Sequence, residues 1–295
     1  MQAAPRVAGE LLSWRSGVTD SPSAIDDQPD PYAGAGDDSG DSDNGGRTYV
    51  TAFSRGLRII RCFSAAQPSL TIAEMAKTAG LNRATARRLL LTLEADGYAS
   101  QSHGKYSLTP RVLDLGYSYL SSLPLDALLY PSLFAVADRF RESCSAGMLD
   151  GHDVVWVARA QTRHPRVMTL VNRVGSRRPA YLTALGMVLL AGLPDDRLDE
   201  YLRTAEFHKQ TDKTITSPAQ LLAEILGVRA NGWYLADEPV EYGVRAVAVP
   251  VPTPEGNTLA ISIASHVPAE VMKTSFLPAL KETAAEIQHL LLLRN

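Results

Sequence analysis

Arg83, Thr85, Arg87 and Arg88 stand within six consecutive positions. Guanidinium groups neutralise phosphates and pair bidentately with guanine O6 and N7, and a threonine meets a thymine methyl or a phosphate oxygen. These groups do that chemistry only when one element holds them on an open face. Asn82 can cap a helix that runs to about Asp96, before Gly97. Ala86, Leu89, Leu90 and Leu93 follow the i, i+3, i+4, i+7 pattern and form its buried face. Ala84, Arg88 and Leu91 lie opposite, with Arg83, Thr85 and Arg87 on the flanks. Cations facing away from the core over the N-terminal half suit a helix lying in a major groove. Leu91 has no place in that picture.

Two helices precede this one. Over residues 54–65, Leu57, Ile60 and Phe63 recur every third residue, as do Arg55, Arg58 and Arg61, which predicts an amphipathic helix with one apolar and one cationic stripe. Thr71 and Glu74 have capping-box spacing ahead of a helix whose core face is Ile72, Met75 and Ala76, and Gly80 stops it as a left-handed residue. Tyr98–Gln101 and Tyr106–Thr109 alternate about His103-Gly104, a hairpin with His103 and Lys105 at its tip. Three helices and a two-stranded wing make a winged helix-turn-helix over residues 47–109. A bare cationic helical hairpin on a protein surface explains the arginines alone but not this order of elements.

Charge follows the same division. The 295 residues carry a formal net charge of −3, which masks three unlike segments. Residues 1–46 hold nine acidic and two basic residues among Gly, Ser and Pro, and read as a disordered acidic tail. Residues 47–110 hold nine basic and three acidic residues, and residues 111–295 hold 18 basic and 20 acidic. Positive charge is concentrated where a phosphate backbone could dock. No apolar run approaches a membrane span, and no basic stretch precedes an apolar core as in a secretory signal. Cys62 and Cys144 are too few for a disulfide framework or a cysteine zinc site. A soluble, cytoplasmic protein without membrane contact is expected.

The remainder reads as an α+β sensing domain over residues 124–295. A linker helix spans Pro110–Leu123, with Val112, Leu115, Tyr119 and Leu123 at helical spacing, and a second helix spans 130–142. Strands are expected at 145–149, 153–160, 166–173, 234–236, 245–251 and 259–264, with a turn at 254–257. Helices are expected at 180–192, 195–203, 218–231 and 268–293. Two groups of strands with helices between them imply an antiparallel sheet with helices packed on it. No HExxH, P-loop, GxGxxG or GxSxG occurs, the six histidines are scattered without metal-ligand spacing, and neither a catalytic residue, a metal nor a cofactor is expected. Cys144 reads as a small core residue. One segment invites an anion: a loop with Gly175, Arg177 and Arg178 leads into a helix start at Pro179–Thr183, where backbone amides, guanidinium groups and the hydroxyls of Tyr181 and Thr183 could meet a carboxylate.

From about residue 50 onward the chain resembles the IclR-type bacterial transcription regulators. The resemblance rests on Ser54-Arg-Gly-Leu-Arg-Ile-Ile, Thr71-Ile-Ala-Glu, Gly80-Leu-Asn-Arg-Ala-Thr85, Arg88-Leu-Leu, Gly104-Lys-Tyr-Ser-Leu, Val174-Gly-Ser-Arg, Thr183-Ala-Leu-Gly and Gly243-Val-Arg-Ala-Val-Ala-Val-Pro. It implies a winged helix joined to a GAF-like effector-binding domain, and homodimers or homotetramers on palindromic operator DNA. On the DNA side the residues singled out are Arg55, Asn82, Arg83, Ala84, Thr85, Arg87, Arg88, His103 and Lys105. On the effector side the resemblance implies Tyr181 to Leu185 with Thr183 and Ala184, the stretch Ala236–Glu238 with Asp237, then Arg245, Ala246 and Ser262 to Ala264, beside the Arg178 already singled out in the loop. Asn82 stands where the family often has proline, and Ala236 and Ala246 stand where some members carry polar groups. Pro179-Ala-Tyr181 with Thr183, and Tyr98-Ala-Ser near the wing, are similar to the branch regulating β-ketoadipate-pathway genes. That likeness implies a small carboxylate effector, an aromatic or dicarboxylic acid such as protocatechuate, 4-hydroxybenzoate or β-ketoadipate. Two other classes stay open from residues alone: a small-molecule enzyme with a nucleic-acid-binding arm, and a sensor whose basic face binds an acidic protein.

Overall fold

The computed structural model describes residues 49–64, 66–122, 125–162, 172–253 and 258–293. The acidic tail, the strand expected at 166–173 (all but its last two residues) and the turn at 254–257 lie outside the described residues. The chain divides into two compact units between Gly116 and Tyr117.

The first unit begins with α1 (Thr51–Arg61), then β1 (Leu70–Thr71), α2 (Ile72–Thr78) and α3 (Arg83–Ala95). β2 (Ala99–Ser102) and β3 (Lys105–Leu108) form the wing, and a 3₁₀ turn (Pro110–Val112) follows. Thr71 and Glu74 close the capping box: the Thr71 hydroxyl accepts from the Glu74 amide at 3.3 Å, and the Glu74 carboxylate accepts from the Thr71 amide at 2.8 Å. Asn82 Oδ1 accepts from the Thr85 amide at 2.8 Å and so starts α3. His103 and Gly104 both have positive φ, 49° and 79°, as the twist of a two-residue hairpin demands.

Three expectations are corrected here. α1 begins three residues earlier and ends before Phe63, and its core residue is Ile59, fully buried, while Leu57 is 36% exposed. At about 100° per residue, steps of three slip back by about 60° each, so Leu57 and Phe63 cannot share a face. Arg58 is likewise not a free cation, because its Nη1 donates to the Ala79 carbonyl at 3.4 Å. The sheet also has a third strand, in the order β1-β3-β2, with Leu70 paired to Tyr106. Two residues are too few to show alternation, and Thr71 serves as a helix cap as well.

α4 (Leu113–Ser122) carries the division between the units. The second unit continues with α5 (Leu125–Phe140), β4 (Ser143–Asp150), β5 (Asp153–Ala160), β6 (Arg177–Pro179), a 3₁₀ turn (Ala180–Leu182) and α6 (Ala184–Ala191). Then come α7 (Asp195–Thr204), α8 (Pro218–Asn231), β7 (Tyr234–Asp237), β8 (Arg245–Pro252) and β9 (Thr258–Ser265). A turn α9 (Ala269–Val271), a π segment (Met272–Phe276) and α10 (Leu277–Leu292) close it. The six strands form one antiparallel sheet in the order β6-β5-β4-β9-β8-β7.

Each sheet face has its own core. Cys144, Ala146, Val157, Ala158, Val247, Val249, Ile261 and Ile263 pack on α5 and α10 through Leu133, Leu280 and Ile287. The other face, with Val154, Trp156, Ala236, Ala248 and Ala260, meets α6 and α8 through Leu185, Leu189, Leu221 and Ile225. α5 starts five residues before the expected 130 and contains Pro131. The segment expected as the loop 175–179 is partly the edge strand β6, held by Arg177 to Asp150 at 2.6 Å and to Asp153 at 3.2 Å. The helix expected at 180–192 begins only at Ala184, after the 3₁₀ turn, and Thr183 caps it by accepting from the Gly186 amide at 2.9 Å.

Candidate functional site

The basic face belongs to α3 and the wing. Arg83, Ala84, Arg87 and Arg88 are exposed, Thr85 is half-buried, and Ala86 and Leu90 are fully buried on the opposite side. No acidic residue occupies the first turn of α3, where Arg83 sits. A cation beside the positive end of the helix dipole is locally unfavourable, and a bound phosphate removes that cost. Asn82 has its amide oxygen committed to the cap, which leaves its NH₂ group free to donate. Leu91 is 39% exposed on the same side as Ala84 and Arg88, where it offers an apolar contact such as a thymine methyl takes. His103 and Lys105 are exposed at the wing tip, and His103 Nδ1 lies 2.9 Å from the Ser102 hydroxyl. Arg55 is half-buried on α1, away from both of these elements in sequence.

The second unit holds a cavity of about 80 Å³ between the sheet and the start of α6. Its floor is made of residues too small to fill the gap: Ser143 and Ser145 of β4, Ser262 and Ala264 of β9, Ala246 of β8 and Ala236 of β7. The register puts Ser145 opposite Ser262 and Ala246 opposite Ala264, so these small side chains form a contiguous patch. Trp156 and Arg159 of β5 stand at one side, and Leu182, Thr183, Ala184 and Leu185 form the roof. Asn172, Arg178, Pro239, Val240, Glu241 and Val244 complete the rim, with Arg245 beside them.

Of the residues singled out from sequence on the effector side, Arg178, Thr183, Ala184, Leu185, Arg245, Ala246, Ser262 and Ala264 line this one cavity. Tyr181 and Asp237 do not; both line a neighbouring cavity with Lys213 and Tyr234. The Tyr181 hydroxyl accepts from the His208 amide at 2.7 Å and donates to the His208 carbonyl at 3.3 Å, so the backbone of His208 consumes it. Asp237 pairs with Lys213 at 2.8 Å and with Arg245 at 2.6 Å. Arg177, part of the expected anion loop, points away to Asp150 and Asp153. The Thr183 hydroxyl is occupied in capping α6. Sequence reasoning did not name Ser143, Ser145, Trp156, Arg159, Asn172 or Glu241 as site residues. The nearest signal was the run of serines and alanines on the predicted strands, which thins the core on one face.

The three guanidinium groups at the cavity differ in their company. Arg245 is neutralised: its Nη2 bonds the Glu238 carboxylate and its Nε pairs with Asp237. Glu238 holds a positive φ of 61°, a strained conformation for a residue with a side chain. Arg178 Nε donates to Asn172 Oδ1 at 3.3 Å; burial lowers its pKa and the charge of Glu241 partly offsets this. Arg159 Nη2 donates to the Ser143 hydroxyl at 2.9 Å, and burial alone lowers its pKa. Cys144 lies on the opposite sheet face with its thiol pushed up to about 12 by burial, so it is no nucleophile at neutral pH. Among the described residues no group of three His, Cys, Asp or Glu is placed to hold a metal, and no helix is long and apolar enough to cross a membrane.

This arrangement of a basic helix with a wing and a cavity on an antiparallel sheet occurs in known proteins. Residues 52–103 match the IclR helix-turn-helix domain, and residues 117–289 match the bacterial transcriptional regulator IclR C-terminal domain. The chain is 37% identical over 245 residues to the Pca regulon regulatory protein of Pseudomonas putida, across 82% of this chain and 84% of that one. A crystal structure from Rhodococcus sp. RHA1, assigned as a transcriptional regulator, is 42% identical with a TM-score of 0.73, covering 84% of this chain and all of that one. A crystal structure of a double mutant of the PobR inducer-binding domain from Acinetobacter, in complex with 3-hydroxybenzoic acid, is 30% identical with a TM-score of 0.52, over 56% of this chain and 97% of that domain.

Proposed function

The chain belongs to the IclR family of bacterial transcriptional regulators, and from that premise we propose that it senses a small aromatic carboxylate and thereby controls genes for aromatic-acid catabolism. It carries the family's DNA-binding domain and its effector domain. The observation that carries the reading is the cavity: a floor of serines and alanines, an indole wall and under-neutralised guanidinium groups. Such a lining takes a flat, anionic molecule. The likeness to a 3-hydroxybenzoate-bound inducer domain and to a Pca regulon regulator supports the same class of ligand. The action proposed is binding rather than turnover.

On the DNA side, Arg83, Arg87 and Arg88 act from α3 in a major groove, with Thr85 beside them, Asn82 and Ala84 at its start, and Arg55, His103 and Lys105 on phosphates. The protein acts as a homo-oligomer on a palindromic operator. Leu113, Leu115, Tyr117 and Tyr119 of α4, and Phe53 of α1, are exposed in the single chain, which suits burial against a second copy. Effector and operator are then coupled reciprocally: whatever factor the acid applies to DNA affinity, DNA applies to acid affinity.

Fluorescence anisotropy with a labelled fragment from the region upstream of the protein's own gene tests this, with 4-hydroxybenzoate, protocatechuate and β-ketoadipate added in turn. One of the acids shifts the DNA dissociation constant, and at 100 times its own dissociation constant it stabilises the protein by about 2.7 kcal/mol. If none alters either DNA affinity or melting temperature, the ligand reading is wrong.

A further inference from the structure

Building on the reading of the cavity as an aromatic-acid site, we propose that Arg159 is the anchor for the ligand's carboxylate, and that Asn172, Arg178 and Glu241 at the far rim read the polar group at the ligand's other end. The three cavity arginines are distinguished by what already balances them. Arg245 shares two carboxylates, Glu238 and Asp237, with Lys213, so its charge is already balanced in that cluster. Arg178 has the charge of Glu241 nearby and an amide partner in Asn172. Arg159 has neither: its one hydrogen-bond partner is the neutral Ser143 hydroxyl, and no carboxylate bears on it among the described residues. A half-buried guanidinium without a counter-charge is costly to hold, and an incoming carboxylate supplies what is missing through a bidentate, charge-assisted pair.

The surroundings of Arg159 fit that role. Its register partner on β4 is Ser145, and Ser143 and Ser262 lie in the same patch, so three hydroxyls are at hand for the carboxylate's remaining lone pairs. Arg178 enters from the other end. It pairs with Val154 across β6 and β5, and Val154 and Arg159 face Leu149 and Ser145, four residues apart on β4, about 13 Å between backbone positions at 3.3 Å per residue. Trp156 projects between those two positions and offers an aromatic face to a ring. Asn172, Arg178 and Glu241 together present donors and an acceptor, which matches a phenolic hydroxyl that both gives and takes a hydrogen bond.

Titration calorimetry on the full-length protein with benzoate, its neutral analogue benzamide, and 4-hydroxybenzoate tests this division of labour. Wild type binds benzoate at least about tenfold more tightly than benzamide. Arg159→Gln brings that ratio close to one, and Arg159→Lys lowers it without erasing it. Arg178→Gln keeps the benzoate preference and instead lowers the ratio of 4-hydroxybenzoate to benzoate. Ratios of two ligands on one variant are insensitive to a general loss of stability. Should Arg159→Gln not fold, an unchanged ratio in Arg159→Lys overturns the assignment on its own. It is also overturned if Arg178→Gln is the variant that erases the benzoate preference, or if Arg159→Gln retains it. If wild type binds none of the three probes, the cavity is no aromatic-acid site, and this inference falls with that reading.

Discussion

Replacing Gly186 with alanine should damage both the stability of the effector domain and its ligand response. A Cβ at this position would sit 2.0 Å from the Ala180 carbonyl oxygen and 2.4 and 2.5 Å from the Ala180 Cα and carbonyl carbon. All three are backbone atoms of the 3₁₀ turn beneath α6, so no side-chain rotation relieves the overlap. The turn must move by more than an atom's tolerance, which strains the Thr183 amide bond to the Ala180 carbonyl at 3.1 Å and the Ala180 amide bond to the His152 carbonyl at 2.9 Å. Overpacking costs about 1–3 kcal/mol, each weakened backbone bond adds about 0.5–1.5 kcal/mol, and alanine's better helix propensity returns about 1 kcal/mol. A net loss of roughly 1–5 kcal/mol lowers the melting temperature of a domain this size by roughly 2–20 °C. The displaced turn also carries Leu182 and Thr183, which roof the cavity, so ligand-induced stabilisation falls along with the melting temperature. Thermal unfolding with and without 4-hydroxybenzoate reads both effects. Gly227 in α8 is the control: nothing lies within 4 Å of its Cβ position, so alanine there stabilises by about 0.5–1 kcal/mol. If Gly186→Ala and Gly227→Ala shift the melting temperature in the same direction, the steric argument is refuted.

On the DNA side, an oligomer making about 6–10 phosphate contacts loses about 10³–10⁵ in affinity between 50 and 200 mM salt, and a flat response in gel shifts excludes a phosphate-docked α3. Arg88→Ala costs about 1–3 kcal/mol and relaxes sequence preference if it reads a base; a loss that is uniform across sequences assigns it to phosphate. Cys144 resists iodoacetamide in the native protein at mildly alkaline pH and reacts once denatured, because its thiol is pushed up to about 12; native labelling at this residue contradicts its burial. Burial raises the Asp237 carboxyl, but Lys213 and Arg245 outweigh it and leave a net lowering, so the stability it contributes is present above the ordinary aspartate value and is lost as pH falls through its lowered folded value. Asp237→Asn should therefore flatten the acid limb of melting temperature against pH; an unchanged limb removes this pair from the account. Removing residues 1–46, which hold nine acidic and two basic residues, should tighten non-specific DNA binding, and unaltered affinity ends the idea that the tail competes for the basic face.

The features legible from sequence were those written in local chemistry. A cap and the residue it serves lie three positions apart, so Thr71 with Glu74 and Asn82 with Thr85 could be placed without knowing the fold. The wing turn needed two positive-φ residues, and His103-Gly104 announced it. α8 runs over the expected 218–231 because Ser217 caps one end and Gly232, at a φ of 74°, closes the other. What failed lacked such a marker. α1 was offset because equal three-residue spacing of leucine, isoleucine and phenylalanine imitates a stripe, while the packing selects Ile59. β1 exists only because β3 pairs with it, and a two-residue partner has no pattern of its own.

The site was legible to the extent that strand parity was. Arg177 and Arg178 read alike in a loop, but on an edge strand neighbours face opposite ways, and one is drawn to Asp150 and Asp153 while the other reaches the cavity. Arg159 is the harder case. Trp156 and Arg159 are three residues apart, so strict alternation puts them on opposite faces of β5. The register shifts between Ala146 and Gly147, which leaves β5 with one extra residue, and both Val157 and Ala158 then face the core beneath α5 and α10. That bulge restores Arg159 to the side of Trp156 and turns the cation towards the serine floor. A bulge is set by pairing with another strand rather than by its own residues. Deleting Val157 removes the extra residue and restores strict alternation, which leaves Trp156 and Arg159 two positions apart on one face. That variant should therefore keep its preference for benzoate over benzamide, and loss of the preference would show that the bulge does more than set the parity of Arg159.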